Sequence, residues 1–361
     1  MLVRMAAMGT HVSREAFGNS DGGAPVERIV LESASLKVTL LSYGARIVSV
    51  EAPDRDGKRV GVVLGTSRLR DYVDKDQAYL GAVVGRYANR IDRGRFVLDG
   101  HEYELTTNDK GNTLHGGVNG FDRRLWAVSP MDGGVEMSLV SEDGDQGFPG
   151  RLLASVRYTL EGSRLRMEYR ARSDKATVVS LTNHAYFNLA GEGQGTILNH
   201  ELMLAAHAFT PVNERLIPTG ELRTVEGTAF NFRNSTKIGQ RMGEADEQLR
   251  LAGGYDHNWM LDGAGSGLRL AARALDAGSG RTLTVYTTEP GIQFYSGNFL
   301  AGEVSGFSGR AYGRNMGFCL ETQKFPDSPN HADFPSARVE AGEEMKSETV
   351  YEFGFGAAGG T

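Results

Sequence analysis

Apolar residues recur along this chain with a period of two, in short runs separated by glycine-rich turns. Leu36, Val38 and Leu40 share one face of a run, and Ile47, Val48 and Val50 resume after a break at Gly44. Phe96–Leu98 and Tyr103–Leu105 flank Asp99-Gly100, a pair that accepts the positive φ angles of a tight hairpin turn. Val156, Tyr158 and Leu160 alternate up to Gly162-Ser163, and Leu165, Met167 and Tyr169 alternate after it. The pattern returns over Leu283–Thr287, Met316–Thr322 and Thr349–Phe353. Alternation of this kind puts every second side chain on one face of a strand. Amphipathic helical windows of about 12 or more residues are missing, and Lys237–Leu251 has room for a turn or two of helix. Short strands with turn signals between them predict an all-β fold, a large antiparallel β-sandwich.

Residues 1–24 are polar, glycine-rich and unpatterned, which predicts a flexible tail. From 25 to 361 no linker and no shift of composition divides the chain, which predicts a single domain. At ~150 residues per domain, 361 residues suggest about two domains, but large all-β folds routinely exceed that length as one unit. Glycine is the compositional outlier, with 48 residues, nearly double the usual ~7%. Many tight turns account for that excess. The 40% hydrophobic and 23% charged fractions exclude wholesale disorder.

A net charge of −6 and the lack of a long block of like charge argue against nucleic acid or an anionic membrane as partner. Cys319 is the one cysteine, so no internal disulfide forms. The first residues have no apolar core of the signal-peptide kind, and no run approaches the ~18 apolar residues of a membrane span. A cytoplasmic protein is expected, in which the sequon-like Asn234-Ser235-Thr236 has no use.

Two segments depart from the rule of apolar inside and charged outside. Across Val178–Leu189, Val179, Leu181, Phe187 and Leu189 share one face, and Ser180, Thr182, His184, Tyr186 and Asn188 share the other. Uncharged hydrogen-bonding groups with a histidine and an aromatic ring suit a groove for a polyhydroxyl compound. A surface strand with a satisfied histidine gives the same pattern. In Gly317–Gln323, Glu321 shares a face with Cys319 and Gln323, opposite Phe318 and Leu320. Burying a carboxylate there is costly unless it is paired, so Glu321 is either a general base or half of a buried ion pair with an arginine.

Loop segments add polar groups. Asn112–Gly117 sets His115 on a turn flanked by glycines, Gly85–Arg90 offers Asn89 beside Arg86 and Arg90, and Tyr255–Asn258 offers Asp256. Pro290–Ser296 supplies Gln293 and the ring of Phe294, of the kind that pack on sugar faces. Other chemistries fail on spacing. The eight histidines show no zinc-ligand spacing. Glu192-Gly193-Gln194-Gly195 lacks the lysine of a phosphate loop, Glu142–Gly147 lacks the alternating ligands of a calcium loop, and no Gly-x-Ser-x-Gly elbow occurs. No metal and no cofactor are expected.

Taken together, Gly85–Ile91, Asn112–Gly117, Asp143–Gly150, Thr182–Gly191, Tyr255–Asn258 and Leu320–Pro335 resemble the aldose 1-epimerase (galactose mutarotase) family, from about Glu27 to Phe353. Ala185 stands where the family commonly has threonine and Trp259 where it commonly has a smaller aromatic, and neither departure touches a polar role assigned below. The resemblance implies a cofactor-free isomerase that interconverts the α and β anomers of free hexoses such as D-galactose and D-glucose. It implies the β-sandwich too. It implies Glu321 as base and His184 as acid, with Asn89, Arg90, His115, Asp256 and Gln293 contacting the sugar; Tyr186 and Phe294 join them as aromatic contacts. A base near pKa ~4.3 and an acid near ~6.5 are the pair that opening a sugar ring requires at neutral pH. Two alternatives share the fold. A hexose-6-phosphate 1-epimerase needs a basic cluster, and a non-catalytic sugar-binding relative loses the acid or the base. The expected partner is a small-molecule sugar, with no nucleic acid and no membrane, and the chain is expected to be a monomer or homodimer.

Overall fold

The computed structural model describes residues 9–75, 78–263, 265 and 267–356. Its strands assemble into three large antiparallel sheets. A nine-stranded sheet runs in the order Ala127–Met131, Gly134–Ser141, Leu152–Glu161, Arg164–Ser173, Glu344–Phe355, Arg281–Thr287, Arg269–Leu275, Glu201–Leu204 and Thr236–Lys237. A six-stranded sheet runs in the order Tyr186–Phe187, Phe318–Gln323, Gly291–Tyr295, Asp256–Leu261, Ala206–Thr210 and Arg223–Thr224. A five-stranded sheet follows chain order from His11–Asn19 to Arg59–Gly61.

The alternation read from the sequence decides how these sheets meet. Leu283, Val285, Tyr351 and Phe353 of the nine-stranded sheet share one core with Phe187, Phe294, Phe318 and Leu320 of the six-stranded sheet. Phe187 meets Tyr351 edge-on at 5.2 Å between ring centres. Each such side chain contributes about 1.5–3 kcal/mol on burial, so the sandwich is held by this shared apolar layer. Among the described residues the one α-helix is Glu247–Ala252, which overlaps the end of the Lys237–Leu251 segment expected to hold a helical turn and runs one residue past it. Asp246 caps it by accepting from the Gln248 and Leu249 N–H groups. No described helix is long and apolar enough to cross a membrane.

Both hairpins form. Arg95–Leu98 pairs with His101–Glu104 around Asp99 and Gly100, at φ 52° and 77°, and Leu152–Glu161 pairs with Arg164–Ser173. Two expectations fail. The loose tail over 1–24 is a strand at His11–Asn19, paired with Pro25–Glu32, and residues 1–8 lie outside the described residues. That strand is mostly exposed and lies at the edge of its sheet, so little apolar alternation marks it. The continuous strand expected over Val178–Leu189 is instead three two-residue strands. Thr177–Val178 pairs with Arg338–Val339, Thr182–Asn183 with Val83–Val84, and Tyr186–Phe187 with Phe318–Cys319. Changing partners twice breaks the ladder while keeping the alternation: Val179, Leu181, Phe187 and Leu189 all enter the core.

Candidate active site

Residues opposite each other across a ladder share a face, so register alone assembles one wall of the site. Tyr186 pairs with Cys319, Cys319 with Tyr295, and Tyr295 with Asp256. One step along, Glu321 pairs with Gln293 and Gln293 with Asn258. This polar row covers the face of the six-stranded sheet that points away from the sandwich core. Phe318, Leu320, Phe294 and His257 take the other face.

The second wall comes from two loops. Arg90-Ile91 pairs with Thr113-Leu114, which brings Asn89 beside His115. The two residues bond reciprocally: His115 N–H donates to Asn89 O at 3.0 Å, and Asn89 N–H donates to His115 Nδ1 at 3.1 Å. Both sit in the left-handed region, at φ 63° and 51°. Gly116 makes the crossing possible, because a Cβ there would lie 1.9 Å from the Gly85 carbonyl oxygen.

Between the walls lies a cleft of about 250 Å³, lined by Asn89, Arg90, His115, His184, Tyr186, Asp256, Tyr295 and Glu321, and also by Tyr79, Leu80, Leu114 and the segment that carries Phe299, Leu300, Ala301, Glu303, Val304 and Tyr312. It falls below the ~300–1,000 Å³ typical of drug-sized ligands, a scale for one small molecule. At its floor His184 Nε2 lies 3.6 Å from Glu321 Oε1, with the two side chains 6% and 2% exposed. Glu321 Oε2 is buried with no hydrogen-bond partner. Rings of His115, Tyr186, Tyr79 and Tyr295 surround His184, with centres 5.1–6.5 Å away. No arginine forms an ion pair with Glu321 among the described residues, so the buried-ion-pair reading of this carboxylate is set aside.

Electrostatics separate the roles these groups can take. Burial, reinforced by the Asp256 carboxylate and opposed by Arg90, holds Glu321 well above its ordinary pKa. Burial raises Asp256 as well, against Arg90 and the hydrogen bond from Gln293 Nε2 at 2.7 Å. Burial works against the Arg90 charge, but Asp256 at 3.8 Å and Asp109 at 2.7 Å outweigh it and raise its pKa. His115 is driven well below its ordinary value by burial, then by His184 and Arg90. It is therefore neutral at pH 7. Because its Nδ1 accepts a backbone N–H, the proton of the neutral ring sits on Nε2, and His115 is a fixed N–H donor.

That tautomer bears on metal binding. His115, His184 and Glu321 offer ligand atoms within 4.8 Å of one another. A metal takes a nitrogen lone pair, and the His115 lone pair is already used by Asn89 N–H. The trio fits hydrogen bonding to a substrate better than an ion.

The structure gathers Asn89, Arg90, His115, His184, Tyr186, Asp256 and Glu321 in one cleft. Gln293 stands behind Asp256 and holds it. Phe294 is a correction: it is fully buried in the sandwich core, stacked at 5.3 Å on Tyr255. With Gln293 on the polar face, period two sends Phe294 the other way and brings Tyr295 to the cleft. Arg86 also turns away, donating to the Pro149 and Gly150 carbonyls at 2.8 Å and to Ser141 Oγ at 2.7 Å. The Asp143–Gly150 segment thus receives a buried guanidinium and does not reach the cleft. Tyr79, Phe299, Leu300 and Tyr312 were missed, and the aromatic-apolar run at Phe299-Leu300 was the one signal of a cleft wall there.

The sequence pattern of the Aldose 1-epimerase family matches residues 27–352. Galactose mutarotase from Bos taurus is 48% identical over 343 residues, 95% of this chain and 98% of that protein. Aldose 1-epimerase from Escherichia coli K12 is 42% identical, over 92% of this chain and 96% of that protein. The crystal structure of galactose 1-epimerase from Lactobacillus acidophilus superposes with a TM-score of 0.83 at 28% identity, over 96% of this chain and 99% of that one. By match across nearly its whole length, the chain belongs to the aldose 1-epimerase family.

Proposed function

We propose that this member of the family interconverts the α and β anomers of a free hexose such as D-galactose or D-glucose, with Glu321 as base and His184 as acid. The observation that carries the reading is the 3.6 Å approach of His184 Nε2 to Glu321 Oε1 on the floor of a cleft scaled to one sugar. Two adjacent groups suit two oxygens bonded to one anomeric carbon. Glu321 takes the proton of the anomeric hydroxyl while His184 gives one to the ring oxygen, and the bond from that oxygen to the anomeric carbon breaks. The resulting aldehyde turns about its bond to the next carbon. On closure His184 recovers the proton from the attacking hydroxyl and Glu321 returns its own to the new anomeric oxygen, so neither group needs outside regeneration. His115 Nε2–H and Arg90 stabilise charge on the oxygens during opening, as fixed donors do. The domain 25–361 acts as one catalytic unit, on a cytoplasmic sugar pool.

Charge favours a free sugar over a sugar phosphate. Apart from His184 in its protonated form, Arg90 is the one cationic side chain among the described residues of the cleft, against Asp256, Glu303 and Glu321, and it is engaged by Asp109 and Asp256. Polarimetry of fresh α-D-galactose, α-D-glucose and α-D-glucose 6-phosphate tests the reading. Acceleration of the free sugars supports it; acceleration of the phosphate alone, or of none, refutes it. The same assay after exhaustive chelation is expected to give an unchanged rate, since the His115 tautomer leaves no ligand set. A rate that falls with chelator and returns with a divalent ion would overturn that expectation.

A further inference from the structure

The Glu192-Gly193-Gln194-Gly195 turn meets the segment that forms one side of the cleft. Residues Phe299, Leu300, Ala301, Glu303, Val304 and Tyr312 supply that side. The excursion carrying them closes on itself through four backbone bonds: Gly302 N–H to Tyr312 O, Tyr312 N–H to Val304 O, Gly306 N–H to Arg310 O and Gly309 N–H to Gly306 O, at 2.9–3.0 Å. Leu300, Val304 and Tyr312 pack in an apolar cluster with Tyr186 and Tyr295, and Phe299 N–H donates to the Tyr295 hydroxyl at 2.7 Å, while the Phe299 side chain is 58% exposed.

Glu192 is the polar anchor at the Ser308–Tyr312 end of the excursion. Its Oε2 accepts from Ser308 N–H at 3.1 Å, and its Oε1 accepts from the Ser308 hydroxyl at 3.1 Å. The Tyr312 hydroxyl accepts from Gly65 N–H at 3.0 Å, and its single proton is shared between Glu192 Oε1 at 2.8 Å and the Gly65 carbonyl at 2.6 Å. Arg310 adds a bond to the Gly193 carbonyl at 2.7 Å. The junction has no slack. A Cβ on Gly306 would lie 2.0 Å from Glu192 Oε1 and 2.1 Å from Tyr312 Oη. Glu192 itself does not line the cleft.

We propose that Glu192 is a positioning residue for substrate binding: by latching Ser308 and Tyr312 it fixes the Phe299–Tyr312 side of the cleft against the sugar. The proposal rests on reading the cleft as the sugar site. This side supplies neither proton-transfer group, so it binds the ground state and the transition state alike. Losing it raises KM and spares kcat.

Three variants test this by mutarotation kinetics and by amide hydrogen exchange over residues 299–312. Glu192→Ala is expected to raise KM about fivefold to tenfold, the effect of roughly one net hydrogen bond, with kcat within about twofold. It should also speed exchange at Gly302, Gly306 and Tyr312. Gly306→Ala, which pushes the latch apart from the other side, should do the same. Glu192→Gln should restore wild-type KM and exchange, because an amide oxygen can accept from Ser308 N–H while its NH₂ donates to the two hydroxyls. Unchanged KM and exchange in both alanine variants overturn the latch. So does a Glu192→Gln variant as impaired as Glu192→Ala, or a lowered kcat at unchanged KM, the mark of a merely structural role. A wild-type protein inactive on every free sugar refutes the reading of the cleft itself, and is distinguished by needing no variant.

Discussion

Glu321→Gln is expected to lower the rate of mutarotation by ~10²–10⁴, the range that general base catalysis supplies, with the fold and sugar affinity retained. The amide keeps the shape of the carboxylate within the Phe318–Gln323 strand and removes its basicity. The same substitution is expected to stabilise the protein, and the sign follows from the pKa. Burial holds the Glu321 carboxyl well above its ordinary value of 4.5, so above that pH the folded state keeps a proton that the unfolded state has released. Stability that the group contributes in acid is therefore lost as pH rises from about 4.5 through its folded pKa. Glutamine carries no such penalty. The melting temperature of Glu321→Gln should exceed that of wild type at neutral pH, with the gap narrowing toward pH 4. Polarimetry and thermal melts at several pH values check both halves. Activity within about tenfold of wild type removes Glu321 as the base. A gap that widens in acid removes the account of its burial.

Much of this site was legible because a strand's alternation carries information about both of its faces. Glu321, on the face opposite Phe318 and Leu320, and His184, on the face opposite Leu181 and Phe187, were visible as a carboxylate beside apolar neighbours and as a histidine among uncharged polar groups where a plain exposed face carries Lys, Glu and Arg. With Gln293 on the polar face, the same phase assigns Tyr295 to the cleft and Phe294 to plain strand packing, the alternative that a phenylalanine at this position also suits. Arg86 shows where alternation carries no information. It stands three residues from Asn89 in a loop, where no period applies, and only the backbone carbonyls of Ser141–Gly150 show where it goes. Tyr79 and the Phe299–Tyr312 side come from long connections whose approach to the cleft depends on tertiary contacts, such as Phe299 stacked 6.0 Å from Tyr295. The edge strand His11–Asn19 was missed because exposed strands are held by backbone bonds, which composition does not reveal.

The two cleft histidines should separate in a pH profile. Wild type is expected to give a bell, because Glu321 must be ionised while His184 is protonated, and the limbs belong to this coupled pair. The raised pKa of Glu321 places the acidic limb above the ordinary carboxylate range. His184→Asn is expected to lose the acid, removing ~10²–10⁴ of the rate together with the alkaline limb. His115→Asn removes a different function. Burial and the neighbouring His184 and Arg90 keep His115 neutral, and its Nδ1 is committed to Asn89 N–H, so it donates a hydrogen bond and has no proton to give up near pH 7. An asparagine side chain can restore part of that donation. His115→Asn should therefore weaken catalysis and leave both limbs where they were. The measurement is initial mutarotation rate against pH for wild type and both variants. Loss of the alkaline limb in His115→Asn, with the limb intact in His184→Asn, would exchange the two roles and place the ring-oxygen acid on the Asn112–Gly117 turn.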